Sequence, residues 1–260
     1  MIKQIYKREE LPMGELKRIG LSVDGKLNLD ADDLKALLIG RRTEMLRLEN
    51  LTAEGIHIPA LDAKLSLKRN TAGEPELLVH PIYREPEVPS FLTDTQAEML
   101  EKGDAPNVQT MLFDDEGHQK QVLVEFDKET NEFIITDTDL IQAPQLINNK
   151  PLTAAQKASY RKGKEVETED GTTIQYSAVE KHGIRSNKIA LIASVLIDGG
   201  VSFMLFKTLN ALFNKKQDKL PGKNFEQALR DMTAEQVTAK GTVLGPGEDF
   251  EEESSQAVNR

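Results

Sequence analysis

A chain of 260 residues exceeds a typical single domain and can enclose two or three compact units. With 38% hydrophobic and 29% charged residues and a mean hydropathy of −0.45 it reads as globular; having no cysteine, it excludes disulfides, thiolate catalysis and the common zinc fingers. The 33 basic and 43 acidic residues leave a net charge of −10, so contact with nucleic-acid phosphates is confined to any local basic patch.

The start, MIKQIYKREELP, has no apolar core or small-residue cleavage site, so a cytoplasmic location is expected rather than secretion. A short capped helix follows in LDADDLKALLIG (Leu29–Gly40). Asp30 at its N-cap accepts a backbone N–H bond from the first turn, and Asp33 is placed to reach back, as in a capping box. Leu34, Leu37 and Leu38 recur at helical spacing, and Gly40 closes the helix because glycine takes positive φ without steric cost. The period then falls to two. TEMLRLENL (Thr43–Leu51), HIPALDAKLSLKRN (His57–Asn70) and PELLVHPIY (Pro75–Tyr83) read as strands, and the charged, proline-bearing REPEVPS (Arg84–Ser90) as a linker.

The same signals return twice. LTDTQAEMLEKG (Leu92–Gly103) and LTAAQKASYRKG (Leu152–Gly163) share L-T-x-x-Q and K-G, with Thr93 and Thr153 as caps and Gly103 and Gly163 as stops. Behind the first lie VQTMLFDD (Val108–Asp115), QKQVLVEFD (Gln119–Asp127) and NEFIITD (Asn131–Asp137); behind the second lie KEVETEDG (Lys164–Gly171) and TTIQYSAVE (Thr172–Glu180). Asp-Asp-Glu-Gly and Glu-Asp-Gly mark the hairpin turns. The pattern describes a helix handing the chain to an antiparallel ribbon, used three times. IQAPQLINNKP (Ile141–Pro151) reads as a second junction, since its prolines and Asn pair interrupt regular structure.

IALIASVLIDGGVSFMLFKTLNALF (Ile189–Phe213) is the most apolar stretch and is long enough to span a bilayer if helical. Asp198 sits near its middle beside Gly199 and Gly200, and a charge at that depth costs about 3 kcal/mol on insertion scales. A pair of buried helices broken at Asp-Gly-Gly is therefore preferred, with insertion in the inner membrane as the alternative. Ile192, Leu196, Phe203, Leu205 and Phe206 would form an interface for a protein partner or a second copy. FEQALRDM (Phe225–Met232) reads as a short helix. MTAEQVTAKG (Met232–Gly241) echoes the repeated pattern two residues short, as a degenerate cap or by chance. Gly245–Arg260 has the composition of a disordered acidic tail.

Signs of catalysis are absent from this pattern. His57, His80, His118 and His182 form no H-x-x-x-H or H-E-x-x-H, and there is no phosphate loop and no G-x-S-x-G elbow. No catalytic, metal or cofactor residue is assigned. The polar candidates are cations: Arg41 and Arg42 just after a helix-ending glycine, then Arg47, Lys68 and Arg69. Arginine forks bind phosphate or carboxylate, so these five are the candidate anion or nucleic-acid contacts. The plainer reading is that they complement a helix terminus and form surface ion pairs.

The ordered strings G-R-R-T, D-A-K-L-S-L and H-P-I-Y within Leu11–Pro86 resemble the domain of unknown function 4099. The L-T-x-x-Q units with the apolar stretch resemble the domain of unknown function 3945. This resemblance implies proteins carried by Bacteroidetes on conjugative and other mobile elements, and it brings no reaction or catalytic residue with it. The expectation is thus an α+β protein of repeated helix-and-hairpin units: residues 1–86, 91–143, 151–214 with the apolar helical segment, and a polar, acidic tail over 215–260. The expected function is non-enzymatic adaptor work in a mobile element, the alternatives being nucleic-acid binding and a membrane-associated subunit.

Overall fold

The computed structural model describes residues 2–53, 55–113, 117–197, 200–207 and 221–241; Asp198, Gly199 and the tail Gly245–Arg260 lie outside them. The chain opens with β1 (Ile2–Lys3), α1 (Met13–Arg18) and a small hairpin, β2 (Ser22–Val23) and β3 (Lys26–Leu27). Then come α2 (Ala31–Leu38) and an antiparallel meander of β4 (Leu46–Ala53), β5 (Ile56–Arg69) and β6 (Pro75–Pro81). Ala63, Leu65 and Leu67 alternate along β5 and turn one sheet face toward Leu16 of α1 and Leu37 of α2, which are fully buried. Asp30 caps α2 as expected, accepting from the N–H groups of Asp32 and Asp33 at 2.8 and 2.7 Å. Asp33 does not reach back. Its buried carboxylate accepts the N–H of Glu44 at 2.9 Å and ties the helix to the entrance of the meander.

The next unit is α3 (Asp94–Lys102) with a second meander, β7 (Val108–Phe113), β8 (Gln119–Asp127) and β9 (Glu132–Asp137). The expected junction instead contains a hairpin, β10 (Leu146–Ile147) and β11 (Lys150–Pro151). Its two-residue turn uses Asn148 and Asn149, both with positive φ, the conformation that tight hairpins favour. After α4 (Ala154–Arg161) comes a third antiparallel set, β12 (Val166–Glu167), β13 (Thr173–Tyr176) and β14 (Ile184–Ser186). The strand expected over Lys164–Gly171 shrinks to two residues because Asp170 turns the chain early, accepting from the Thr168 hydroxyl and the Thr172 N–H.

Both later helices carry full capping boxes. Thr93 and Thr153 accept from the N–H groups of Gln96 and Gln156 at 3.3 and 3.2 Å, and each Gln side chain accepts its cap residue's N–H in return. Thr93→Ala and Thr153→Ala will each lower stability by about 1 kcal/mol. Urea denaturation with an unchanged slope is the check; a shift near zero would mean that water replaces the caps.

The apolar stretch corrects the helical expectation. Through Lys207 it is a hairpin of β15 (Ala190–Ile197) and β16 (Gly200–Lys207), with residues 208–213 outside the described ones. A continuous apolar run suits a strand covered on both faces. β15 is such a strand: Leu191 and Ala193 enter the central core, while Ile192 packs under Phe225 and Ala228 of α5 (Phe225–Gly241). It also pairs in parallel with β1 and antiparallel with β10. The short helix expected at Phe225 therefore continues through Met232–Gly241. Among the described residues no helix is long and apolar enough to cross a membrane. The central core draws on all three helix-and-ribbon units, with Ile39, Leu123, Ile147, Tyr160, Ile174, Tyr176 and Leu191 in one cluster. The result is a mixed α+β fold of several antiparallel sheets with few helices.

Candidate functional site

β8 is covered on both faces, and that places the polar chemistry. Val122 and Val124 pack toward Ala97 and Leu100 of α3. Strand alternation sends Leu123, Glu125 and Asp127 the other way, into the junction with the flanking units. Leu123 enters the central core beside Gly163, where a Cβ would stand 2.7 Å from Leu123 Cδ1; with φ at +66°, that position demands glycine twice over.

Glu125 joins β8 to the C-terminal unit. Its carboxylate is buried and accepts from the Ser177 hydroxyl at 2.7 Å and the Ala178 N–H at 2.5 Å. Arg185 Nη2 lies 4.0 Å away and donates to Ser177 Oγ at 3.2 Å. Burial pushes the Glu125 carboxyl above its ordinary range, while Arg185 and the two hydrogen bonds pull it back.

Asp127, two residues on, joins β8 to the N-terminal unit. It accepts from Lys64 Nζ at 2.8 Å, both side chains being almost wholly buried, and Lys64 also meets Glu129 at 2.7 Å. Arg42 lies 3.9 Å from Asp127 and donates to Glu132 at 2.6 Å. His80 bridges Ser66, 2.7 Å from its Nε2, and Glu132, 3.5 Å from its Nδ1. Burial disfavours the Glu132 charge, but hydrogen bonds from His80 and Arg42 outweigh it and hold its pKa at about 2. Serine, histidine and carboxylate in that order can activate a hydroxyl. Here Arg42, nearer than His80, takes the larger share of the Glu132 charge, and Ser66 lies within the extended run of β5 rather than on a turn. The arrangement reads as a tie across strands.

Arg41 has other surroundings. Gly40, with φ at +71°, ends α2, and the Arg41 N–H returns to the Ala36 carbonyl at 2.8 Å, so the side chain leaves toward β13. There its Nη1 donates to the Tyr176 hydroxyl at 2.6 Å, and its guanidinium carbon lies 4.9 Å from that ring's centroid. Among the described residues no carboxylate oxygen lies within 4.0 Å of it. Arg41 and Arg42 border a cleft of ≈ 260 Å³ between the Gly40 loop and β9, walled by Ile39, Ile134, Ile135 and Leu140.

The remaining candidates lie apart from this cleft. Arg47 meets both carboxylate oxygens of Asp62 at 3.1 Å, and Lys68 lies 3.8 Å from Glu76. Arg69 donates to the carbonyls of Gly73 and Ile5, 3.5 Å from Glu10. Of the proposed interface, Ile192 is fully buried under α5 and presents no surface. Leu196, Phe203, Leu205 and Phe206 are placed by register alone, opposite Val201, Ser194, Ile192 and Leu191. Asp198 and Gly199 lie outside the described residues; Gly200 starts β16, and Gly40, Gly103 and Gly163 all take positive φ just past their helices. Glu125, Asp127, Lys64 and Arg185 were not legible as site residues: each stands in a strand where alternation alone assigns polar side chains to solvent.

No curated protein and no solved structure matches the chain. Residues 6–90 match the family model described as "Protein of unknown function (DUF4099)", a stretch that runs from Tyr6 to just short of α3 and takes in Arg41 and Arg42. The match establishes an N-terminal domain of unknown function.

Proposed function

We propose that the chain is a non-enzymatic adaptor whose helix-and-ribbon units, copied from one template, are locked together and offer a sheet edge to a protein partner. The edge itself carries this reading. Among the described strands β9 pairs only with β8, and beside it Ile135 and Leu140 are 45% and 73% exposed. A strand with one open edge flanked by apolar side chains is a surface that another chain closes by adding a strand. The copied-template reading is supported by the capped helix, positive-φ glycine and three antiparallel strands that recur in order. The resemblance to mobile-element proteins favours work on a conjugative element in the cytoplasm. Nucleic-acid binding draws less support, because Arg42, Arg47, Lys68 and Arg69 each lie against a carboxylate.

The test is affinity purification of the tagged full chain beside an Ile135→Lys, Leu140→Lys variant. Both side chains are exposed, so the fold tolerates the change. The expected result is a stoichiometric partner, or a second copy, retained by the parent and lost by the variant. Identical recovery from both would overturn the reading.

A further inference from the structure

We infer that the cleft between β9 and the Gly40 loop captures the carboxyl terminus of an extended partner segment, Arg41 binding the carboxylate and β9 pairing with the residues before it. This rests on the adaptor reading and gives it a ligand chemistry. Arginine offers five N–H donors in a planar fork matched to a carboxylate. Arg42 next door has two carboxylates in reach, whereas Arg41 has one neutral hydroxyl. The nearby Glu125 is already engaged by Ser177 and Ala178. Glu125 acts on the Arg41 guanidinium from beyond ion-pair distance, so an incoming carboxylate adds a close charged contact that the described residues do not supply. Gly183 fixes how the fork is held, since a Cβ there would stand 2.9 Å from Arg41 Nε.

The walls specify the rest of the ligand. Ile39, Ile134 and Leu140 favour an apolar last side chain. At ≈ 260 Å³ the cleft falls below the pockets that enclose whole ligands, about 300–1,000 Å³, and suits one end of a chain that continues elsewhere. The route onward is the free edge of β9, whose Ile134, Ile135 and Thr136 line the same cleft. Main-chain pairing with side-chain and carboxylate capture at one end is an established mode of peptide recognition.

The probe is a pool of fluorescent five-residue peptides, apolar at the last position, titrated by anisotropy against the full chain. It is made in three forms: free acid, C-terminal amide, and free acid N-methylated at alternate residues. The free acid should bind, and amidation should weaken it about tenfold to a hundredfold, the size of a charge-assisted bond. N-methylation should weaken binding comparably, and Arg41→Met should bind acid and amide alike. The modified peptides keep the test decisive even if Arg41→Met fails to fold. Equal binding of acid and amide to the parent chain, or no binding at millimolar peptide, would sink the inference. In that event, continued loss of the partner by the Ile135→Lys, Leu140→Lys variant leaves the adaptor reading standing; recovery unaffected by that variant removes both.

Discussion

Glu125→Ala will destabilise the fold by about 3–5 kcal/mol, the range for removing one member of a buried charged pair. The carboxylate is 1% exposed and accepts from Ser177 and Ala178, so its loss strands a buried hydroxyl and a buried N–H and takes one carboxylate from beside Arg185, which also lies 3.8 Å from Glu180. Glu125→Gln separates these contributions. A glutamine can accept from the Ala178 N–H and donate to Ser177 Oγ, so it reverses the bond with Ser177, keeps the one with Ala178 and removes the charge facing Arg185. It should cost less than alanine, and pairing it with Arg185→Met should recover part of the loss. Urea denaturation supplies the values. A cost below about 1 kcal/mol for alanine would mean that water fills the site and that β8 does not hold the C-terminal unit through this group.

Much of the secondary structure was legible because local signals agreed. In β8, Gln119–Asp127 was delimited correctly by a turn on each side and by β-branched content. The three helix-ending glycines and the threonine caps were legible for the same reason, being contacts within one or two turns of chain. The apolar stretch defeats a local reading because its length favours helix while its content favours strand, and periodicity alone cannot separate the two in a continuous apolar run. Its Asp-Gly dipeptide, a hairpin signal, was the better guide.

The junction was far less legible. Arg41 and Arg42 stood out for following a helix stop, but their partners Tyr176 and Glu132 lie 135 and 90 residues away. No local pattern gives those distances. Glu125 and Asp127 were harder still. Val-Leu-Val-Glu-Phe-Asp reads as a strand with one wet end, and only the layers on both faces of β8 make that end dry. The buried charges of β8 mark where separate units meet, which is information that a single unit's pattern does not hold.

Lys64→Met provides the matching test on the N-terminal side, with an expected loss of about 3–5 kcal/mol. Lys64 and Asp127 are 2% and 0% exposed at their side chains, so methionine fills the volume but leaves the Asp127 carboxylate buried with Arg42, at 3.9 Å, as its one remaining cation among the described residues. The pair also predicts a pH dependence. Burial works against the Lys64 charge, but Asp127 and Glu129 outweigh it and raise the pKa above its ordinary 10.5. A raised lysine binds its proton more tightly folded than unfolded, so its stabilisation is complete below pH 10.5 and fades as pH climbs through the folded value. The parent should therefore lose stability in strongly alkaline buffer by more than Lys64→Met does. Replacing both partners, as Lys64→Met with Asp127→Leu, should restore most of the loss at neutral pH, because two apolar side chains leave no charge stranded. If the double variant is as unstable as the single one, the junction depends on the wider network of Arg42, Glu129 and Glu132 rather than on this pair. If both match the parent, Lys64 and Asp127 do not hold the N-terminal domain to β8.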